Sequence, residues 1–166
     1  GLEDGTIQAF DAETLESLWI YEAPHGGQPN CPITYKDGYI YTGFWVGEES
    51  RADFVCLSVT DEDPTRKDEV KSASWVHEGS GYYWAGAYVG NGNAGEIEIA
   101  SKQARTYVVV GSDDGKSTGT AYGELLSLDP INGRVIDSIK DTFIGDIRST
   151  IMFDKDTARY YFVTKG

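Results

Sequence analysis

The stretch GTIQAFDAETLESLWIY, residues 5–21, contains two short apolar runs separated by a polar turn. Both runs are rich in Ile, Leu, Phe, Trp and Tyr, which is typical of half-buried β-strands. Asp11, at the start of the turn, can accept hydrogen bonds from backbone groups just downstream. The stretch therefore predicts an antiparallel β-hairpin.

Two such patterns recur along the chain. The first returns as ADFVCLSV…SASWVH across 52–77 and as GELLSLDPINGRVIDSI at 123–139. A second pattern, PITYKDGYIYTGF at 32–44, returns as EIEIASKQARTYVVVG at 96–111 and as STIMFDKDTARYYFVT at 149–164. The two patterns alternate strictly, so a complete unit has four strands and spans roughly 50 to 70 residues. About twelve strands are predicted, and helical periodicity is almost absent.

This unit resembles the repeat of the pyrroloquinoline-quinone-type (PQQ-like) β-propellers, through the turn A-F-D-A-x-T followed by Trp19 and through Asp129, Asn132 and Gly133 at the equivalent turn. The resemblance covers nearly the whole chain and implies an all-β fold of antiparallel four-stranded blades, about three blades' worth. Because the chain opens within the pattern, we expect residues 1–166 to be a fragment of a larger propeller. The blades are expected at 5–23 (partial), 32–78, 95–139 and 149–164 (partial).

The Gly and Asp residues of the turns are interpreted as structural residues and not as functional ones. Gly38, Gly115 and Gly133 are expected to supply positive φ angles, which glycine adopts without a steric penalty. Asp11, Asp129 and Asp154 are expected to bind backbone groups downstream.

The composition excludes some classes of partner. The chain has 27 acidic and 14 basic residues and a net charge of −13, which repels nucleic acid and anionic membranes. No apolar run approaches the length of about 18 residues that a membrane-spanning helix needs, so membrane insertion is not expected. Cys31 and Cys56 match no zinc spacing; they are interpreted as two buried thiols, with a single disulfide as the alternative.

The sequence predicts no catalytic residues and no cofactor. The quinone-dependent dehydrogenases of the resembling family use a full ring of blades, a calcium site and often adjacent cysteines, and no residue here matches that cofactor shell. His25 and His77 are the only histidines, and no hydrolase signature accompanies them. The acidic turn at 111–115 is interpreted as solvated, and Asp113 and Asp114 are the best candidates for a metal.

Aromatic residues suggest a ligand surface. The four strands of a propeller blade are labelled A to D from the central axis outward. The connections from strand D to the next strand A, and from B to C, emerge together on what we call the loop face. Here these connections are 24–31, 45–52, 79–94, 111–122 and 141–148. Flat rings bring contact area at low entropic cost, which suits sugars or peptides. The candidate ligand-binding residues are Trp45, Tyr82, Tyr83, Trp84 and Arg148. The competing interpretation assigns most of 82–88 to packing between blades, with Trp45 and Trp84 exposed.

One connection departs from the repeat. The acidic and polar segment 60–71 around Pro64 has no apolar face to bury. We expect it to form an exposed, mobile loop opposite the loop face.

These observations favour a non-catalytic binding or scaffolding segment of a larger secreted or cell-surface protein, with a protein or carbohydrate partner. The resemblance extends to bacterial surface proteins and implies an extracellular location. Two alternatives stay open: part of a cofactor- or metal-dependent propeller enzyme, and a platform for protein assembly only. Since the chain starts with strands C and D and ends with strands A and B, a homodimer that completes a six-bladed ring is also expected as an alternative to an open arc.

Overall fold

A computed structural model describes residues 5–47, 49–82, 84–91, 106–113, 123–140 and 145–165. Within these ranges every regular element is a β-strand. The strands are β1 (Thr6–Phe10), β2 (Ser17–Glu22), β3 (Thr34–Lys36), β4 (Tyr39–Gly43), β5 (Ala52–Ser58), β6 (Glu69–Val70), β7 (Trp75–Gly79), β8 (Tyr88–Asn91), β9 (Thr106–Ser112), β10 (Glu124–Leu128), β11 (Val135–Ile139), β12 (Asp146–Ile147), β13 (Met152–Asp154), β14 (Arg159–Tyr161) and β15 (Thr164–Lys165).

The strands form successive sheets along the chain. The first sheet has the order β1-β2-β6, the second β3-β4-β5-β7 and the third β8-β9-β10-β11. The second and third sheets are antiparallel throughout, which confirms the all-β, four-stranded prediction. A final hairpin pairs β13 with β14 and, beyond a short interruption, β12 with β15.

The first strand of the third sheet differs from the prediction. The sequence analysis placed the start of this blade at residue 95, but β8 (Tyr88–Asn91) pairs with β9 at that edge. Residues 95–101 lie outside the described part of the chain. The strand instead begins within the aromatic stretch, where Val89 is buried and the flanking Tyr88 is half-buried.

The two recurring turns have matching geometry. The Asp11 carboxylate accepts from the amides of Glu13 (2.9 Å) and Thr14 (2.7 Å). The Asp129 carboxylate accepts from the Ile131 amide at 2.9 Å. Gly133 closes its turn at a φ of 69°, as predicted, whereas Gly115 lies outside the described residues.

The core lies between stacked sheets. In β5, Phe54 and Cys56 face the third sheet, while Val55 and Leu57 face the first. All four are at most 1% exposed. A strand covered on both faces explains the nearly continuous apolar run in this part of the sequence. Both cysteines are free and buried, which confirms the interpretation as thiols.

The segment 60–71 is attached to the first sheet, so the prediction of a free loop is wrong at its C-terminal end. β6 pairs in parallel with β2, which places Val70 opposite Ile20. Next to it, the Lys71 side chain is only 2% exposed. Its ammonium donates to the carbonyls of Ser58 (2.8 Å) and Thr60 and lies 4.9 Å from the ring centroid of Trp19. The lysine thus provides the anchoring contact that the apolar pattern did not reveal.

In the described ranges, no helix has the length and hydrophobicity required to cross a membrane.

Candidate functional site

The connections of the loop face are joined by backbone hydrogen bonds. Gln28 and Trp45 exchange two of them, at 2.8 and 3.2 Å. The Tyr82 amide donates to the Phe44 carbonyl at 3.0 Å, and the Asp113 amide donates to the Gly81 carbonyl at 3.0 Å. Residues of four connections are therefore joined in one continuous network above the strands.

Trp45 and Asp113 meet at Gly81. A Cβ atom at Gly81 would lie 2.4 Å from Asp113 Oδ2 and 2.5 Å from Trp45 Cδ1. Only glycine leaves room for both neighbours. Trp45 is half-buried at this position.

Asp113 connects two segments of the chain through a buried hydrogen bond. It is 7% exposed, and its Oδ1 accepts from the Gly81 amide at 2.8 Å. The interpretation of a solvated acidic turn is therefore wrong for Asp113, because its carboxylate anchors the neighbouring connection. Among the described residues no group of three or more His, Cys, Asp or Glu side chains could hold a metal ion. Asp114 lies outside the described residues.

Tyr82 belongs to the core, and its assignment to a ligand surface is corrected. Its ring is fully buried, with a centroid 5.2 Å from that of Phe54. Two glycines make room for it: a Cβ at Gly43 would lie 2.4 Å from Tyr82 Cβ, and one at Gly79 would lie 2.2 Å from the Tyr82 hydroxyl. Burial holds the pKa of Tyr82 well above its usual value.

The other candidates lie in different settings. Trp84 is 40% exposed, as expected, and Tyr83 lies outside the described residues. Arg148 lies between β12 and β13, is partly buried and donates from Nη2 to Asp146 Oδ2 at 2.9 Å.

The sequence analysis missed a histidine–carboxylate pair at this face. Asp53, fully buried at the start of β5, lies 2.8 Å from His25 Nδ1 through Oδ1 and accepts from the His25 amide at 3.1 Å through Oδ2. The His25 side chain is 40% exposed. The hydrogen bond to Asp53, together with its negative charge, raises the pKa of His25. No local motif signals the pair, because its members lie 28 residues apart.

A polar cleft of about 430 Å³ lies between the second and third sheets at the same end. On the third sheet, Lys140 pairs with Glu124. Arg51 pairs with Glu78 at 2.7 Å, and Glu78 lies opposite Asp53, on the face of the second sheet that looks toward the first. His77, half-buried, also lines the cleft, and burial lowers its pKa. The sequence analysis named none of the four paired residues, since charged side chains are common in this chain.

Comparisons with known proteins give the fold but no family. No family model matches the chain, and no curated protein matches it. The fold is similar to that of BamB from Moraxella catarrhalis in its crystal structure, with a TM-score of 0.58 and 13% sequence identity over 98% of this chain. The chain spans 41% of the BamB chain. The stacked four-stranded sheets are thus those of part of a β-propeller.

Proposed function

We propose that this chain is a non-catalytic binding segment of a β-propeller protein and that the loop face takes up its ligand, a carbohydrate or a peptide. The observation that carries the proposal is the network of backbone hydrogen bonds between the loop-face connections, next to which Trp84 is exposed and the polar cleft opens. A surface that is ordered before binding loses less conformational entropy when a ligand arrives.

The chemistry of the described side chains supports a binding role over catalysis. Burial raises the pKa values of Cys31 and Cys56 to about 11, so neither thiol is a ready nucleophile at neutral pH. The rival proposal, part of a cofactor- or metal-dependent enzyme, would be supported by a visible absorption band or by bound metal in the purified protein.

Screening the purified protein on a glycan array and in a thermal-shift assay with peptides tests the proposal. We expect a ligand that raises the melting temperature. Trp84→Ala should remove this response with little loss of stability, since the side chain is partly exposed. Phe10→Ala is the matched control, because Phe10 is 54% exposed and adjoins the β1–β2 turn, away from the loop face.

Three results would count against this proposal: no ligand in either screen, a Trp84→Ala variant that binds as before, or one that unfolds. Capture of a protein partner without any small ligand would favour the assembly platform.

The location proposed for the protein is the bacterial cell surface or the extracellular space, on the basis of the sequence resemblance. Protease accessibility of the protein on intact source cells tests it. Protection of the protein until the cells are lysed would contradict it.

The proposal extends to assembly as a homodimer. Within the described residues, β1 and β14 each have a strand neighbour on one side only. Beside β14, an apolar cleft of about 310 Å³ lies over the third sheet and includes Tyr107, Ile136 and Tyr160. Open strand edges beside an apolar face favour pairing with another chain. In the proposed dimer, β1–β2 of each copy would pair with β13–β14 of the other, so that two further four-stranded sheets form. Light scattering should give twice the chain mass of 18.2 kDa; a monomer at high concentration would exclude the ring.

A further inference from the structure

The repeat places a carboxylate at equivalent positions of the second and third sheets. Asp53 lies two residues before Val55 on β5, and Glu124 lies two residues before Leu126 on β10. Val55 packs against the first sheet and Leu126 against the second. Because side chains alternate along a strand, each carboxylate also faces the preceding sheet. A carboxylate that is withdrawn from water needs a hydrogen-bonded or charged partner.

The two carboxylates have different partners. Glu124 is paired with the Lys140 ammonium. Asp53, which is fully buried, is paired with His25: Oδ1 lies 2.8 Å from Nδ1, and Oδ2 accepts from the His25 amide at 3.1 Å. A lysine ammonium ordinarily stays protonated through the neutral range, whereas histidine changes its charge between about pH 5 and 8. One of the two equivalent positions therefore has a partner that titrates near neutral pH.

The groups around His25 leave it as the titrating partner of Asp53. Glu78 lies opposite Asp53 on β7 and is paired with Arg51 at 2.7 Å. Asp53 raises the pKa of His25, Glu78 acts in the same direction, and Arg51 opposes them. From the first sheet, burial and then the charge of Asp53 raise the pKa of Tyr21 to about 12, so this phenol stays neutral. Its buried hydroxyl has no hydrogen-bond partner among the described residues.

The contact with Asp53 fastens a whole connection of the loop face. His25 lies in the connection 24–31, and both of its hydrogen bonds to Asp53 run from this connection to β5. Three residues further on, Gln28 exchanges two backbone hydrogen bonds with Trp45, at 2.8 and 3.2 Å. A change at His25 is therefore passed through the backbone to the connection that carries Trp45.

From this arrangement we infer that His25 and Asp53 form a pH-sensitive latch that fastens the connection 24–31 to the second sheet. At low pH the imidazolium neutralises the buried carboxylate. As the pH rises through the folded-state pKa of His25, the proton leaves to solvent and Asp53 keeps only neutral hydrogen-bond donors, which are roughly half as strong. The connection then opens more often, and Trp45 with it. The latch is a property of the chain itself and does not depend on the proposed ligand.

Hydrogen exchange of single amides between about pH 5.5 and 8.5 tests the latch, with each rate divided by the intrinsic rate at the same pH. The protection of the His25 and Gln28 amides should fall by about fivefold or more as the pH rises, because a charge-assisted hydrogen bond is replaced by a neutral one. The Asp113 amide, which donates to the Gly81 carbonyl, is the internal reference and should change little.

Two variants assign the effect to one histidine. His25→Gln keeps a side-chain donor that does not titrate, so the protection of the Gln28 amide should no longer depend on pH. His77→Gln is the matched control, since His25 and His77 are the only histidines of the chain; the dependence should remain as in the wild type.

Three results would overturn the inference. They are wild-type protection that stays constant with pH, a dependence that persists in His25→Gln, and a parallel loss at the Asp113 amide, which would indicate a change of global stability. If His25→Gln does not fold, the wild-type series and the His77→Gln control still decide, because a dependence lost in His77→Gln would assign the titration to the wrong residue. A ligand screen that finds nothing leaves these measurements unaffected, so this inference and the proposed function fail separately.

Discussion

Replacing Lys71 with methionine should destabilise the protein strongly, although the segment that contains it appears in the sequence as a polar loop. The side chain is 2% exposed, and its ammonium is the donor to the carbonyls of Ser58 and Thr60. The same ammonium lies over the Trp19 ring. It therefore connects the first sheet with the segment that follows β5.

The size of the effect follows from these contacts. Methionine keeps most of the apolar stem, so the loss is mainly polar. A hydrogen bond to a charged group contributes about 1.5–3 kcal/mol, and a partly desolvated cation–π contact adds about 1–2 kcal/mol. These contributions come from one ammonium group and are not additive. The methionine variant also avoids the desolvation cost of burying a charge, which offsets part of the lost stability. We therefore expect the free energy of unfolding to fall by about 2–4 kcal/mol, or the melting temperature by roughly 5–15 °C.

Urea unfolding followed by tryptophan fluorescence measures the change. Lys67→Met is the control, because Lys67 pairs with Glu16 and both side chains are more than half exposed; its effect should stay within about 0.5 kcal/mol. If Lys71→Met is as stable as this control, the segment does not anchor the first sheet and the reasoning is refuted.

Three further changes test the core and the loop face. Tyr82→Phe should leave stability unchanged or raise it, because the buried hydroxyl has no hydrogen-bond partner among the described residues; a loss above about 1 kcal/mol in urea unfolding would contradict this. Gly79→Ala should cost about 1–3 kcal/mol, since its Cβ would lie 2.2 Å from the Tyr82 hydroxyl, whereas Gly47→Ala, with its nearest atom at 3.3 Å, should be nearly neutral in the same assay. The His25–Asp53 contact raises the pKa of His25, so its stabilisation should be complete below about pH 6.5 and fade as the pH rises through the folded-state pKa. An NMR titration of His25 should give a midpoint above that of a free histidine, and Asp53→Asn should lower it; equal midpoints would contradict the assignment.

Local patterns in the sequence predicted the all-β fold, its four-stranded antiparallel sheets and the Asp11 and Asp129 turns. Strand periodicity, and the hydrogen-bonding capacity of Asp11 and Asp129, depend on residues only a few positions apart. The structure places these residues as expected. The same local rules indicated that part of 82–88 would face inward, and Tyr82, Ala85 and Ala87 do.

The features that the sequence did not reveal all depend on contacts between sheets. His25 reaches Asp53 across 28 residues, and the cleft joins side chains of two sheets. The burial of Lys71 was not predicted for a related reason. A lysine in a charged segment is usually solvated, and only the approach of Trp19 and two carbonyls makes burial favourable.

Tyr82 links the core of the propeller segment to its loop face. Its ring fills the space left by Gly43 and Gly79, while the amide of the preceding residue, Gly81, donates to the buried carboxylate of Asp113. Two residues after Tyr82, Trp84 is exposed. The buried Tyr82 ring thus fixes the backbone two residues before the exposed Trp84 ring. The position of Trp84 therefore depends on the packing of Tyr82. It follows that ligand binding and stability should change together when the Tyr82 ring is removed, and separately when Trp84 is substituted.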